Sequence, residues 1–323
     1  MKTWWIVTRD HVATLEKREM PVPVPGSGHV VVKVHAAGMN RGELIVGGAV
    51  HGGPEKFGGV EVSGVVETLG PGVTGVRVGD RVMGRVRGAF TEYALMETHQ
   101  LMPLPPNLTW EQGAAVPVSY TTAYEMICQF GFITKDEWLL IAGASSGAGV
   151  ACMQIAQALG AHTIGTSGSA AKLGKLATLG LEHGICTRGP DFAARVMEIT
   201  GGAGADIAAN LVGGTVFPEI LKCLARCGRV AIAGYVDGAL HADIDLGAVH
   251  ASRFRIYGVS NAKLTWQERA EATRGFSALV LPMIANGRIV PVVDRVYGFD
   301  ELPAAKAAME ANEMVGKIIV RVA

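Results

Sequence analysis

The sequence predicts an α/β protein of two domains, one rich in β-structure and one built on a doubly wound parallel sheet. Three observations carry that prediction. The chain has 323 residues, beyond the size at which one hydrophobic core usually stops growing, so two cores are expected. From Trp138 onward short apolar runs alternate with helix-length segments, the pattern of repeated strand–helix units on a parallel sheet. Before that point apolar and polar residues alternate and are cut by glycine and proline turns, as in a compact β domain.

In the β-rich part, strands are expected at Val30 to His35, Glu61 to Leu69 and Arg77 to Met83, punctuated by Gly70-Pro71-Gly72 and Gly79-Asp80. The texture changes near Pro117. Strands then follow at Trp138 to Ala142, Thr163 to Thr166, His183 to Cys186, Asp206 to Leu211 and Arg229 to Ala233, with helices between them. Arg253 to Val259 adds a further strand to that sheet. Mixed structure containing Pro282, Pro291 and Pro303 leads to a closing strand, Lys317 to Val322. The resulting boundaries assign 1–117 and 263–323 to one domain and 118–262 to the other.

Composition narrows the function. Hydrophobic residues make up 49% and charged residues 18%, with 43 glycines, which fits a compact enzyme with many tight turns. Lys and Arg number 29 and so do Asp and Glu; with no basic stripe, neither nucleic acid nor an anionic membrane is an expected partner. The uncharged stretch from Trp138 to Ala161 imitates a membrane span in length. Its glycine-rich centre, Gly143 to Gly149, would put a polar turn at mid-membrane, so a strand, a turn and a helix are expected instead. No apolar core of signal-peptide length follows Met1, and the cytoplasm is the default expectation.

The five cysteines are Cys128, Cys152, Cys186, Cys223 and Cys227, an odd number without disulfide or paired zinc spacing, and free thiols are expected. Cys223 and Cys227 lie four apart in an expected helix, but no third or fourth ligand stands near them in the sequence.

The segment Leu139 to Val150 has the order a dinucleotide site needs: a buried strand, a turn of small residues and a helix start. Small residues let the backbone approach a pyrophosphate, and N–H groups at the helix N-terminus hold the anion. Ser146, Gly147, Ala148, Gly149 and Val150 are the candidates. About twenty residues on, an Asp or Glu would bind the adenosine ribose of NAD and repel a 2′-phosphate. Here the place reads Thr166-Ser167-Gly168-Ser169-Ala170-Ala171-Lys172. Without a carboxylate, Ser167, Ser169 and Lys172 form a site for the extra phosphate of NADPH, the alternative for Lys172 being a solvated helix residue.

With these residues in view, the chain resembles the zinc-independent quinone oxidoreductases, the zeta-crystallin-like branch of the medium-chain dehydrogenase/reductases. The matching segments are Ala36 to Asn40, Gly59 to Val66, Gly79 to Val82, Phe90 to Ala94, the phosphate turn, Val212-Gly213-Gly214 and Gly316 to Val320. The resemblance implies a GroES-like substrate domain made from both ends of the chain, a Rossmann cofactor domain inserted between them, and a cleft where they meet. Where zinc-dependent relatives carry ligands, this chain has Asn40, Val60 and Val118, and Arg85 to Ala89 replaces the lobe that would hold structural zinc; no metal is expected. The resemblance also places Asn40 and Thr122 near the nicotinamide and adds Gly234 and Lys317 to the cofactor contacts. Thr187 replaces a common phosphate-binding Tyr, with Arg188 beside it as substitute. In the substrate loop, Gly47 to Gly53, His51 is either a proton donor or a loop histidine in solvent, and Glu61 is read as a buried, hydrogen-bonded support.

The function these readings imply is NADPH-dependent hydride transfer to a small quinone or α,β-unsaturated carbonyl compound, with Asn40 and His51 as catalytic candidates. Two alternatives stand: reduction of an enoyl thioester, and a cofactor-binding protein with little turnover. A homodimer joined through Arg253 to Val259 is expected, since an outer strand is readily covered by its symmetry mate.

Overall fold

The computed structural model describes residues 1–9, 12–44 and 55–323. It divides into two compact units, Met1–Thr121 with Ala262–Ala323, and Thr122–Asn261. The sequence placed the two crossings four residues earlier and one residue later; the first falls within the helix Ser119–Tyr124.

In the first unit the strands Val293–Gly298, Lys317–Arg321, His29–Gly38, Glu61–Leu69, Arg81–Arg85 and Leu101–Pro103 lie side by side in that order, and Tyr93–Glu97 also pairs with His29–Gly38. The closing strand pairs antiparallel with the first of these in the chain, Ile319 opposite Gly38. That pairing brings residues near 317 beside residues near 40. Val30, Val32 and Val34 are buried with Val62, Val66, Phe90 and Met96 in one core, and Val31 on the other face is buried as well. The strand expected at Arg77 to Met83 begins only at Arg81. Gly79 takes a positive φ of 91° and Asp80 Oδ2 accepts from the Arg77 N–H at 2.8 Å, a turn that no strand tolerates.

The second unit is a six-stranded, all-parallel sheet in the order His183–Cys186, His162–Ser167, Trp138–Ala142, Ala205–Asn210, Leu224–Ile232, Arg255–Gly258. Successive strands run outward in one direction from Trp138–Ala142 and then in the other from Ala205–Asn210, as in a doubly wound fold. Leu139, Leu140, Ile141 and Ala142 are all fully buried, which explains the unbroken apolar run there. The membrane-like stretch is thus this strand, a turn and the helix Gly147–Ala158. No helix among the described residues is long and apolar enough to cross a membrane.

One expected helix is absent. Cys223 closes the helix Phe217–Lys222, and Cys227 lies inside the strand Leu224–Ile232 with a φ of 64°. The two thiols therefore do not share a helix face. All five cysteines are unpaired, and burial pushes the Cys128 and Cys223 thiols up to about 12.

Candidate active site

The reversal of strand order in the second unit falls between Trp138–Ala142 and Ala205–Asn210, and ligands of doubly wound sheets bind beyond the strand ends at such a point. The first of these strands is followed directly by Gly143, at a φ of 87°. The Ala144 N–H donates to Thr166 O at 3.0 Å, which seats the turn on the neighbouring strand. Ser146 is the N-cap of Gly147–Ala158: its Oγ accepts from the Gly149 N–H at 3.1 Å and donates to Gly143 O at 3.0 Å. The Val150 N–H donates to Ser146 O at 2.9 Å.

This geometry narrows the expected phosphate contacts. The N–H groups of Gly149 and Val150 and the Ser146 hydroxyl take part in the cap and the first helical bond. Gly147 and Ala148 carry the first-turn N–H groups that helical bonding does not reach. Gly149 has a spatial reason as well. A methyl there would lie 2.6 Å from Gly143 O and 2.7 Å from Ala144 O.

The neighbouring strand ends in buried Ser167. Ser169 caps the helix Ala170–Thr178, its Oγ accepting from the Lys172 N–H at 3.4 Å, so Lys172 stands in the first turn. Arg188 folds over this turn: a methyl on Gly168 would meet its Cγ at 2.6 Å and its Nε at 2.9 Å. Thr187 closes its own loop, its hydroxyl bonded to Asp191 and accepting from the Gly189 N–H at 3.0 Å. Ser167, Gly168, Ser169 and the Arg188 side chain thus meet at the end of one strand, with no carboxylate among them.

On the opposite side of the crevice the sequence pointed to Val212-Gly213-Gly214 and Gly234 but not to Asn210 or Asp237. Buried Asn210 Oδ1 accepts from the N–H groups of Val212 and Gly213, both at 3.0 Å. Asp237, from the loop after the next strand, accepts from the Thr215 N–H and the Ala239 N–H, each at 2.9 Å, and from Thr215 Oγ1 at 2.5 Å. Burial works to raise the Asp237 pKa, but the bonds from Thr215 and Ala239 outweigh it and hold the carboxyl below its usual range. Gly213, at a φ of 134°, has no room for a side chain, since a methyl would sit 1.9 Å from Asp237 Oδ1. Gly234 lies against the same loop, with space for a methyl only 2.7 Å from Leu211 O. Asn followed shortly by Gly-Gly is an Asx-turn signal that pointed to this loop. Thr122 Oγ1 accepts from Asn261 Nδ2 at 2.8 Å, tying together the first and last residues of this unit.

In the first unit a buried polar cluster surrounds Asn40. Its Nδ2 donates to Glu43 Oε1 at 2.7 Å and to Glu61 Oε1 at 2.9 Å, and its Oδ1 accepts from Lys317 Nζ at 2.7 Å. Two carboxylate oxygens on one side and an ammonium on the other fix the amide orientation unambiguously. Lys317 Nζ also donates to Glu61 Oε1 at 2.6 Å and Met39 O at 2.9 Å, while Glu61 Oε2 accepts from the Val118 N–H at 2.7 Å. Glu61 is 0% exposed and Lys317 4%.

Two residues expected at the site meet in this cluster. Lys317, expected at the cofactor, has its three ammonium hydrogens directed to Met39 O, Asn40 Oδ1 and Glu61 Oε1 inside this cluster. Asn40, expected to stabilise charge on the substrate, has both amide hydrogens held by carboxylates in this arrangement. Glu61 is the buried support its sequence suggested. Glu43 was not foreseen: burial pushes its carboxyl up to about 7, against the lowering effect of the Asn40 hydrogen bond and of Lys317. His51 lies outside the described residues.

Comparison with known proteins decides the family. The family described as "Alcohol dehydrogenase GroES-like domain" matches residues 26–106, and "Zinc-binding dehydrogenase" matches residues 147–276, so both modules occur in order along the chain. The chain belongs to the medium-chain dehydrogenase/reductase superfamily. Human quinone oxidoreductase is 27% identical to this medium-chain dehydrogenase/reductase over 310 residues, covering 94% of the chain and 92% of the human protein. A structure of Escherichia coli quinone oxidoreductase complexed with NADPH superposes with a TM-score of 0.86 at 25% identity, and one of an NAD-dependent alcohol dehydrogenase with 0.87 at 27%; both cover 100% of each chain. Among curated relatives, a phenolphthiocerol/phthiocerol polyketide synthase of Mycobacterium tuberculosis is 29% identical over 92% of this chain, which spans only 14% of that protein's length.

One family description names zinc, and the places where the resemblance puts its ligands are Asn40, Val60 and Val118. Val60 and Val118 carry no ligating side-chain atom, and the Asn40 amide is committed on both sides. Among the described residues, no group of three or more His, Cys, Asp or Glu side chains can hold a metal ion.

Proposed function

We propose that the chain is an NADPH-dependent, metal-free oxidoreductase that passes a hydride to a quinone or an α,β-unsaturated carbonyl compound. The observation that carries the reading is the end of the strand His162–Ser167, where two serines and Arg188 surround a glycine and no acid is present. Such an end accepts a 2′-phosphate that an Asp or Glu would repel. The NADPH complex of the Escherichia coli quinone oxidoreductase supports it.

Bound NADPH supplies the hydride from C4 of its nicotinamide. The Gly147 and Ala148 N–H groups hold the pyrophosphate, and Ser167, Ser169, Lys172 and Arg188 hold the 2′-phosphate. Asn210 and Asp237 fix the shape of the loop 211–215, and Thr122 and Gly234 would contact the bound cofactor. Asn40 serves the substrate end.

A second reading, reduction of an enoyl thioester, is favoured by the polyketide synthase relatives, which match nearly the whole chain. Against it, the basic candidates for holding a phosphopantetheine arm, Arg41, Lys56, Arg85 and Arg87, are scattered in the sequence, and Arg41 donates to Met309 O at 2.6 Å. Protein stripped with a chelator and supplied with NADPH should reduce a quinone or a short enone faster than an enoyl thioester. Activity lost on chelation and restored by zinc alone would overturn the metal-free reading, and a clear preference for the thioester would overturn the substrate class.

We further propose a homodimer. Arg255–Gly258 is the outer strand of the six-stranded sheet, with Ile256 exposed, an edge that a second copy covers readily. Light scattering at micromolar concentration should give twice the chain mass, and a monomer mass would contradict it.

A further inference from the structure

The Asn40 cluster holds two carboxyl groups and one ammonium ion, and the three are not evenly matched. Glu61 receives Lys317 Nζ, Asn40 Nδ2 and the Val118 N–H, so its charge is compensated. Glu43, 7% exposed in the turn Arg41–Leu44, receives the Asn40 amide on Oε1 alone. Its Oε2 is buried and has no hydrogen-bond partner among the described residues. The charged groups acting on it are Glu61 on Glu61–Leu69, Lys317 on Lys317–Arg321 and Lys56 on Glu55–Phe57. None of the three is among its hydrogen-bond partners. A buried carboxylate supported by one neutral donor is costly and keeps its proton more readily than a carboxyl in water does.

We propose that Glu43 is a positioning residue that holds or releases the Asn40 side-chain amide according to its own protonation state. Ionised, it accepts a charge-assisted bond and keeps both amide hydrogens of Asn40 between carboxylates. Protonated, it is a weaker acceptor. Glu61 and Lys317 still fix the amide through its other hydrogen and its oxygen, and the freed hydrogen becomes available to a substrate oxygen on which negative charge grows. This deepens the proposed function and rests on it for the role of Asn40. The protonated form is therefore the competent one, and turnover falls as pH rises through the titration.

The test separates the two claims. In protein labelled with 15N-asparagine, the Asn40 side-chain amide signal, assigned by its loss in Asn40→Ser, should titrate with a midpoint near 7, where burial places Glu43. In Glu43→Gln, which keeps the acceptor and the shape, that signal should not move. In parallel, kcat/KM for an enone should fall about tenfold per pH unit above the midpoint in the wild type and stay flat in Glu43→Gln. An Asn40 signal that is pH-independent in the wild type, or that titrates equally in the variant, overturns the proposal. So does the same kcat/KM break in both proteins. An Asn40 signal that titrates while every quinone and enone is refused upholds the Glu43 linkage and condemns the substrate reading instead.

Discussion

Replacing Lys317 by methionine should destabilise the first unit by about 3 to 5 kcal/mol, the usual cost of leaving one member of a buried ion pair alone. The magnitude follows from where the charges are. Glu61 is 0% exposed and its Oε1 lies 2.6 Å from Lys317 Nζ, so removal of the ammonium leaves a buried carboxylate with two neutral donors. Methionine keeps the length and the apolar stem, which confines the loss to charge and hydrogen bonds. The double variant Lys317→Met with Glu61→Gln should recover most of the stability, because the uncompensated charge is gone. Urea unfolding of the wild type, both single variants and the double variant measures this. A Lys317→Met protein within about 1 kcal/mol of wild type would mean that the cluster is not a compensated ion pair.

The second large effect concerns cofactor choice. A charge-assisted hydrogen bond contributes about 1.5 to 3 kcal/mol, so Lys172→Ala should weaken NADPH binding by roughly ten- to a hundredfold while NADH scarcely responds. Lys172 is half-buried in the first turn of Ala170–Thr178, which leaves the contact open to screening, and added salt should narrow the gap between the two cofactors. Arg188, packed over Gly168, gives an internal control: Arg188→Ala should act in the same direction. Fluorescence titration with each cofactor decides it. Equal weakening of both by Lys172→Ala would show that this strand end does not bind the phosphate.

The parallel sheet was legible because its central strands are buried on both faces and therefore read as short apolar runs, as Trp138 to Ala142 does. The phosphate turn was legible for a related reason: only small residues fit where a methyl on Gly149 would strike the Gly143 carbonyl. What failed was local patterning without its hydrogen bonds. Arg77 to Met83 alternates like a strand, yet the Asp80 side chain turns the chain at Arg77. Cys223 and Cys227 have helical spacing, but the chain enters a strand between them. The Asn40 cluster was half legible. Glu61 could be read as a buried support, whereas the position of Lys317 depends on a pairing between Ile319 and Gly38, residues far apart in sequence. Glu43 and Asp237 belong to no recurring pattern, and their roles follow only from which backbone and side-chain groups the fold places against them.

The central claim, hydride transfer from NADPH to an electron-poor carbon without metal, is tested most directly by isotope. Chelator-treated protein is given NADPH deuterated at C4 in the transferred position, together with a short enone, and the product is analysed by mass spectrometry and proton NMR. One deuterium on the carbon β to the carbonyl, with one NADPH oxidised per product formed, is the predicted result. Tight NADPH binding with no deuterated product from either an enone or a quinone would contradict the account and leave a protein that binds the cofactor without using it.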